Sequence, residues 1–134
     1  MENHLNITSQ FVPYELAVKL KELGFDEECF GYYRIDEKFV ALTNYHENYN
    51  DSDSRISAPL WQQAFDWFRD KYRYSSIIPF NGSDHYYWWI TECNSFGLDI
   101  NSIDTHDFTT YEQARYSCLE TLIQLIQNKN DRSI

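Results

Sequence analysis

The stretch SAPLWQQAFDWFRDKY, residues 57–72, decides the fold class. On a helical wheel Leu60, Trp61, Ala64, Phe65, Trp67, Phe68 and Tyr72 share one broad arc. Gln62, Gln63, Asp66, Arg69 and Asp70 occupy the other, the pattern of an amphipathic helix lying on a core. Pro59 suits a first helical turn, where its missing N–H costs nothing, and Ser57 or a neighbour can cap the free amides. So many large rings on one helix predict that it forms the centre of the hydrophobic interior.

Upstream, Pro13 to Leu23 reads as a first helix, with Leu16, Ala17, Leu20 and Leu23 on its apolar stripe. Gly24 follows as its C-terminal stop and Phe25 packs back. Cys29 to Leu42 reads as a β-hairpin with its tip at Asp36-Glu37. Phe30, Tyr32 and Arg34 point one way; Gly31, Tyr33 and Ile35 point the other. Residues 43–56, TNYHENYNDSDSRI, read as a surface loop. Residues 1–10 are expected to form a loosely held arm or a short edge strand.

Downstream, Tyr74 to Phe80 reads as a strand that Pro79 confines to an edge or ends. Asn81-Gly82-Ser83-Asp84 is a turn, and His85 to Glu92 returns as the partner strand. A short strand is expected around Leu98 to Ile100. The last helix runs from about Tyr111 to Asn128, opened by a Thr110-Tyr-Glu-Gln113 capping box, with residues 129–134 as a frayed tail. The order is α-ββ-α-ββ(β)-α. It predicts one α+β domain over residues 1–134, an antiparallel sheet of β-hairpins with three helices packed on it. The helix starts at Tyr14, Trp61 and Tyr111 echo one another, each with alanine three residues on. The strands show no matching repeat, so a shared way of opening a helix explains the echo better than duplication.

Composition bounds the function. A chain of 134 residues can bury one core unaided. The formal charge of −10 opposes general binding to nucleic acid, since phosphates would be repelled, but suits a basic protein surface or mimicry of nucleic acid. No apolar run is long enough to span a membrane and the first residues carry no signal-peptide pattern, so the expectation is a cytoplasmic protein. Cys29, Cys93 and Cys118 are scattered and odd in number, which predicts reduced thiols.

Chemistry-bearing motifs are sparse. His46, His85, His106 and Cys93 have no metal-ligand spacing, so no metal is expected. Asp51-x-Asp53 lacks the glycine and glutamate of a calcium loop. Neither a nucleophile elbow nor a glycine-rich phosphate cradle occurs, and no catalytic residue or cofactor is assigned. His106 between Asp104 and Asp107 fits an acid–base group, but such a loop is far more often only a solvated turn. One strand, HYYWWI at 85–90, carries aromatics on both faces: Tyr86, Trp88 and Ile90 on one, His85, Tyr87 and Trp89 on the other. Either both faces are covered, or one is a recognition surface. An open face would stack planar rings, with Arg34 or Arg73 neutralising phosphate. The candidate ligand-binding set is Tyr33, Arg34, Arg73, His85, Tyr87 and Trp89. A partner protein or a second copy of this chain would fit such a face as well.

FVPYELAVKLKELGFDEECFGYY, APLWQQAFDWFRDKY and YEQARYSCLETLIQLI together resemble a group of short proteins from Bacteroides-type gut bacteria, their prophages and phages. The resemblance implies a phage accessory setting and carries no site residues with it. In that setting the aromatic strand points to a non-catalytic protein that binds and sequesters a small host molecule, such as a nucleotide-derived immune signal. An acidic inhibitor or DNA mimic that blocks a host protein is the alternative, and a small hydrolase without a motif is the third class.

Overall fold

A computed structural model describes residues 7–41, 45–82, 85–94, 99–104 and 108–132. Three helices alternate with two three-stranded antiparallel sheets, an α+β architecture. Two sheets replace the one expected. They fall in separate compact units, Met1–Ala64 and Phe65–Ile134, and the division lies inside the central helix.

In the first unit, a 3-10 turn at Ile7–Gln10 leads into α1, Tyr14–Leu23, where the sequence suggested a loose arm or a short edge strand. Gly24 closes α1 at φ 97°, with Gly24 N–H donating to Lys21 O and Phe25 N–H to Leu20 O. This is the left-handed stop that glycine adopts without steric cost. Strands β1, Gly31–Arg34, and β2, Phe39–Ala41, form the hairpin, and Glu37 at φ 68° turns the tip. A third strand, β3, Arg55–Ser57, pairs with the other edge of β1, giving the order β2-β1-β3.

That strand lies in the segment read as a surface loop, and the loop's polar residues explain the difference. Asn50 Nδ2 donates to Phe25 O at 2.8 Å, and Asn50 Oδ1 accepts Ser57 N–H at 2.8 Å. Tyr49 N–H donates to the buried Ser57 Oγ at 3.0 Å. Lys21 Nζ donates to Ser52 O and Arg55 O at 2.7 and 2.9 Å. Side chains that normally mark solvated loops are here partners for backbone groups that would otherwise be buried unpaired. Tyr49, inside the same segment, is fully buried.

The central helix α2 spans Trp61–Tyr72. Its start is later than Pro59 suggested, because Pro59 O is taken by Val12 N–H and Leu60 bridges to Phe11. Gln63 Oε1 accepts Leu60 N–H and caps the helix in place of Ser57. Trp61, Ala64, Trp67 and Phe68 are buried and Leu60, Phe65 and Tyr72 half-buried, so the arc read from the sequence is the interior face.

In the second unit, β4, Tyr74–Ile77, β5, Trp89–Cys93, and β6, Asp99–Asp104, form an antiparallel meander with β4 at one edge. Pro79 has no N–H to give, so regular pairing ends at Ile77 and resumes as a single bridge from Phe80 to Tyr86. The returning strand therefore begins at Trp89 and not at His85. The turn places Gly82 at φ 83°, while Ser83 and Asp84 lie outside the described residues. Helix α3, Tyr111–Arg132, opens with the expected capping box: Gln113 N–H donates to Thr110 Oγ1 at 3.1 Å, and Thr110 N–H to Gln113 Oε1 at 3.3 Å. It runs past the expected end because Lys129 pairs with Glu92 Oε2 at 3.0 Å and lies over the Tyr74 ring. All three helices begin at the echoed aromatic, and Ala17, Ala64 and Ala114 are fully buried. The two sheets have different strand orders, so topology supplies no repeat to match the echo.

Two outcomes are expected. A Cβ at Gly31 would sit 2.9 Å from Phe39 Cε1 and 3.1 Å from Val40 O, so Gly31→Ala lowers unfolding free energy by about 1–3 kcal/mol in urea titration. Burial pushes the thiols of Cys29 and Cys118 and the Tyr33 hydroxyl up to about 12. The unfolded chain loses these protons nearer their usual values of 9.0 and 10.0. Stability is therefore full below about pH 9 and falls as pH rises toward 12. Denaturation curves across that range show the slope, and Cys29→Ala with Cys118→Ala flattens it.

Candidate ligand-binding cleft

The face of the first sheet that carries Tyr32 and Arg34 has the most coherent chemistry. Strand alternation turns Gly31 and Tyr33 inward, where both are buried, and leaves Tyr32 half-buried and Arg34 exposed. The antiparallel register then sets Arg34 directly opposite Arg55, and Tyr32 opposite Ser57. Like charges at opposed positions of a ladder repel, so this pairing needs compensation.

Compensation comes from two sides. Arg55 lies over two tyrosine rings, its Cζ 5.3 Å from the Tyr32 centroid and 5.0 Å from that of Tyr49. The two rings are themselves in contact at 4.7 Å. Arg55 Nη2 pairs with Glu47 Oε2 at 3.3 Å, and Tyr45 donates its hydroxyl to Glu47 Oε1 at 2.9 Å. That hydrogen bond, and then the carboxylate charge, hold the Tyr45 hydroxyl above its usual range. Among the described residues the Arg34 guanidinium pairs with Asp36, Nη2 to Oδ2 at 3.2 Å, while Asp36 Oδ1 accepts Lys38 N–H at the hairpin tip. Tyr32, Arg34, Ile35, Asp36, Ser54 and Arg55 line an open cleft of about 550 Å³. Ile35, at 74% exposure, forms an apolar rim. Two guanidinium forks beside an aromatic face suit a ligand that combines negative charge with a planar ring.

The residues singled out from the sequence are dispersed. Arg34 lines the cleft. Tyr33 belongs to the opposite, inward face: it is 8% exposed, and its hydroxyl donates to Val12 O at 2.7 Å. Arg73, His85, Tyr87 and Trp89 lie in the second unit. Arg73 ends α2 at φ 64°, and its carbonyl accepts Cys93 N–H. Of the aromatic strand, Trp88 and Ile90 are buried, and Trp88 Nε1 donates to Ser117 Oγ at 2.9 Å. His85 and Tyr87 are half-buried, while Trp89 is 43% exposed opposite the exposed Ile77. One face is therefore core and the other is partly open.

Tyr32, Asp36 and Arg55 were missed. Arg55 could have been found only by reading Arg-Ile-Ser as a strand, and the surrounding Asn, Asp and Ser masked that. No group of three or more His, Cys, Asp or Glu side chains suited to a metal occurs among the described residues. His46 is instead paired with Glu28 at 2.8 Å, and His106 lies outside them. Among those residues, no helix is long and apolar enough to cross a membrane. The chain matches no protein-family model, no curated protein and no solved structure.

Tyr33 and Tyr49 give opposite expectations. The Tyr49 hydroxyl is buried without a hydrogen-bond partner among the described residues, and burial pushes its pKa up. Tyr49→Phe leaves stability unchanged or raises it by up to about 1 kcal/mol, whereas Tyr33→Phe strands Val12 O and costs about 1 kcal/mol. Paired urea titrations of the two variants check this.

Proposed function

We propose that this protein is a non-catalytic binder that sequesters a small anionic host molecule carrying a planar ring, and that the β1–β3 cleft is its seat. The observation that supports the reading most is the juxtaposition of Arg34 and Arg55 beside the Tyr32 ring in an open cleft. The resemblance to prophage and phage proteins makes a nucleotide-derived immune signal the first ligand to try. A hydrolase has less behind it, because the cleft carboxylate Asp36 is engaged in an ion pair and the Ser54 hydroxyl lies against Ser52 Oγ at 3.0 Å, with no general base beside it among the described residues. A second reading, an acidic inhibitor of a host protein, draws on the net charge of −10 and on the exposed pair Ile77 and Trp89 across β4 and β5.

Native mass spectrometry of the chain, incubated with the small-molecule fraction of host bacteria, tests the first reading. The expected result is a discrete added mass that denaturation returns chemically intact. Arg55→Ala should abolish it, while Trp89→Ala retains it. A bare wild-type chain sinks the reading and turns attention to a protein partner. A released compound that differs from the one bound indicates turnover.

A further inference from the structure

The two arginines of the cleft are held in unequal ways. Arg55 is braced by two rings and by Glu47, and its backbone carbonyl is pinned by Lys21. Arg34 has one ion pair, to a carboxylate two residues along the hairpin tip, and both side chains are about half exposed, at 56% and 43%. An ion pair in that setting contributes at most about 1 kcal/mol, so its exchange is cheap. Each guanidinium carries five N–H donors. Among the described residues each guanidinium has one ion pair, Arg34 to Asp36 and Arg55 to Glu47. Their Cα atoms face each other across the ladder at about 5 Å, so both forks can close on one anionic group.

We infer that Asp36 is an exchangeable counter-ion, and that the cleft takes a phosphomonoester whose phosphate displaces the Asp36 carboxylate from Arg34 and bridges Arg34 to Arg55, with the ring of the ligand against Tyr32. This rests on the binding reading above and adds the chemical class. A phosphomonoester carries nearly two negative charges at neutral pH and three terminal oxygens, enough to meet two guanidinium forks. A cyclic phosphodiester carries one charge and offers fewer oxygens. Asp36 sets a threshold: its carboxylate satisfies Arg34 in the free protein and repels weak anions.

Asp36→Asn separates the charge from the fold, because the amide oxygen still accepts Lys38 N–H. Calorimetric titrations of the full chain with adenosine 5′-monophosphate, cyclic 3′,5′-AMP, adenosine and pyrophosphate at pH 7.5 test the inference. The monophosphate is expected to bind more tightly than the cyclic diester, and the diester more tightly than adenosine. Asp36→Asn should tighten the monophosphate by about fivefold, the size of a lost surface ion pair, and leave adenosine unchanged. Arg34→Ala and Arg55→Ala should each weaken it about tenfold or more. Pyrophosphate should compete, with an affinity that falls as salt rises.

Equal affinity for adenosine and its monophosphate, or no response to Asp36→Asn, overturns the inference and leaves the binder reading intact. Failure of the monophosphate and pyrophosphate to bind either the wild type or Asp36→Asn also overturns it. The binder reading then stands or falls on the mass added by the host small-molecule fraction.

Discussion

The pairing of β3 with β1 is the constraint on which the chemistry of the first unit depends. It brings Arg55 opposite Arg34 and closes Tyr49 beneath Tyr32 and Arg55. A three-residue strand has little pairing energy of its own, and isolated short strands are marginal in water. What holds it is a set of side-chain bonds to backbone: Asn50 between Phe25 and Ser57, Ser57 to Tyr49, and Lys21 across Ser52 and Arg55. Each satisfies a polar group that the turn of the chain would otherwise bury. The strand is thus set in place by the loop before it.

Holding two arginines opposed in an acidic protein is an electrostatic arrangement with a clear division of labour. Stacking on Tyr32 and Tyr49 removes rotational freedom from Arg55 and supplies cation–π attraction that does not consume its outer N–H groups. Arg34, by contrast, is tethered by a half-exposed carboxylate at the hairpin tip. Under the proposed binding reading, one fork is preorganised and the other adjusts, which would lower the ordering cost of a bound anion without fixing the cleft to one ligand outline. The −10 charge of the whole chain opposes the approach of polyanions such as nucleic acid. A small ligand with two charges is repelled far less, so under the proposed binding reading the global charge and the local cations together favour small anions over large ones.

The second unit shows how much of a sheet a single proline can decide. Pro79 ends the regular ladder, and the aromatic run that follows is split between core and surface: Trp88 turns in to Ser117, and Trp89 turns out beside Ile77. Strand alternation at 85–90 left open whether both faces are covered or one is a recognition surface. The structure separates them, with the Trp88 and Ile90 side closed by α3 residues such as Ser117 and the Trp89 side partly open.

Local patterns settled most of the architecture. The apolar arc of α2, the glycine stop after α1, the hairpin tip at Asp36-Glu37 and the Thr110–Gln113 capping box are all short-range features, and each is found where periodicity or spacing put it. That Arg34 shares a face with Tyr32 was legible from strand alternation, but not which face turns outward. Tertiary structure decided what local pattern does not encode: that Arg-Ile-Ser at 55–57 is a strand, that it lies beside β1, and that Arg55 thereby meets Arg34 and Tyr32. Asn, Asp and Ser have the same composition signature whether they face water or satisfy a buried backbone. Only the fold, by placing Phe25, Asn50 and Ser57 within hydrogen-bond reach, separates the two cases.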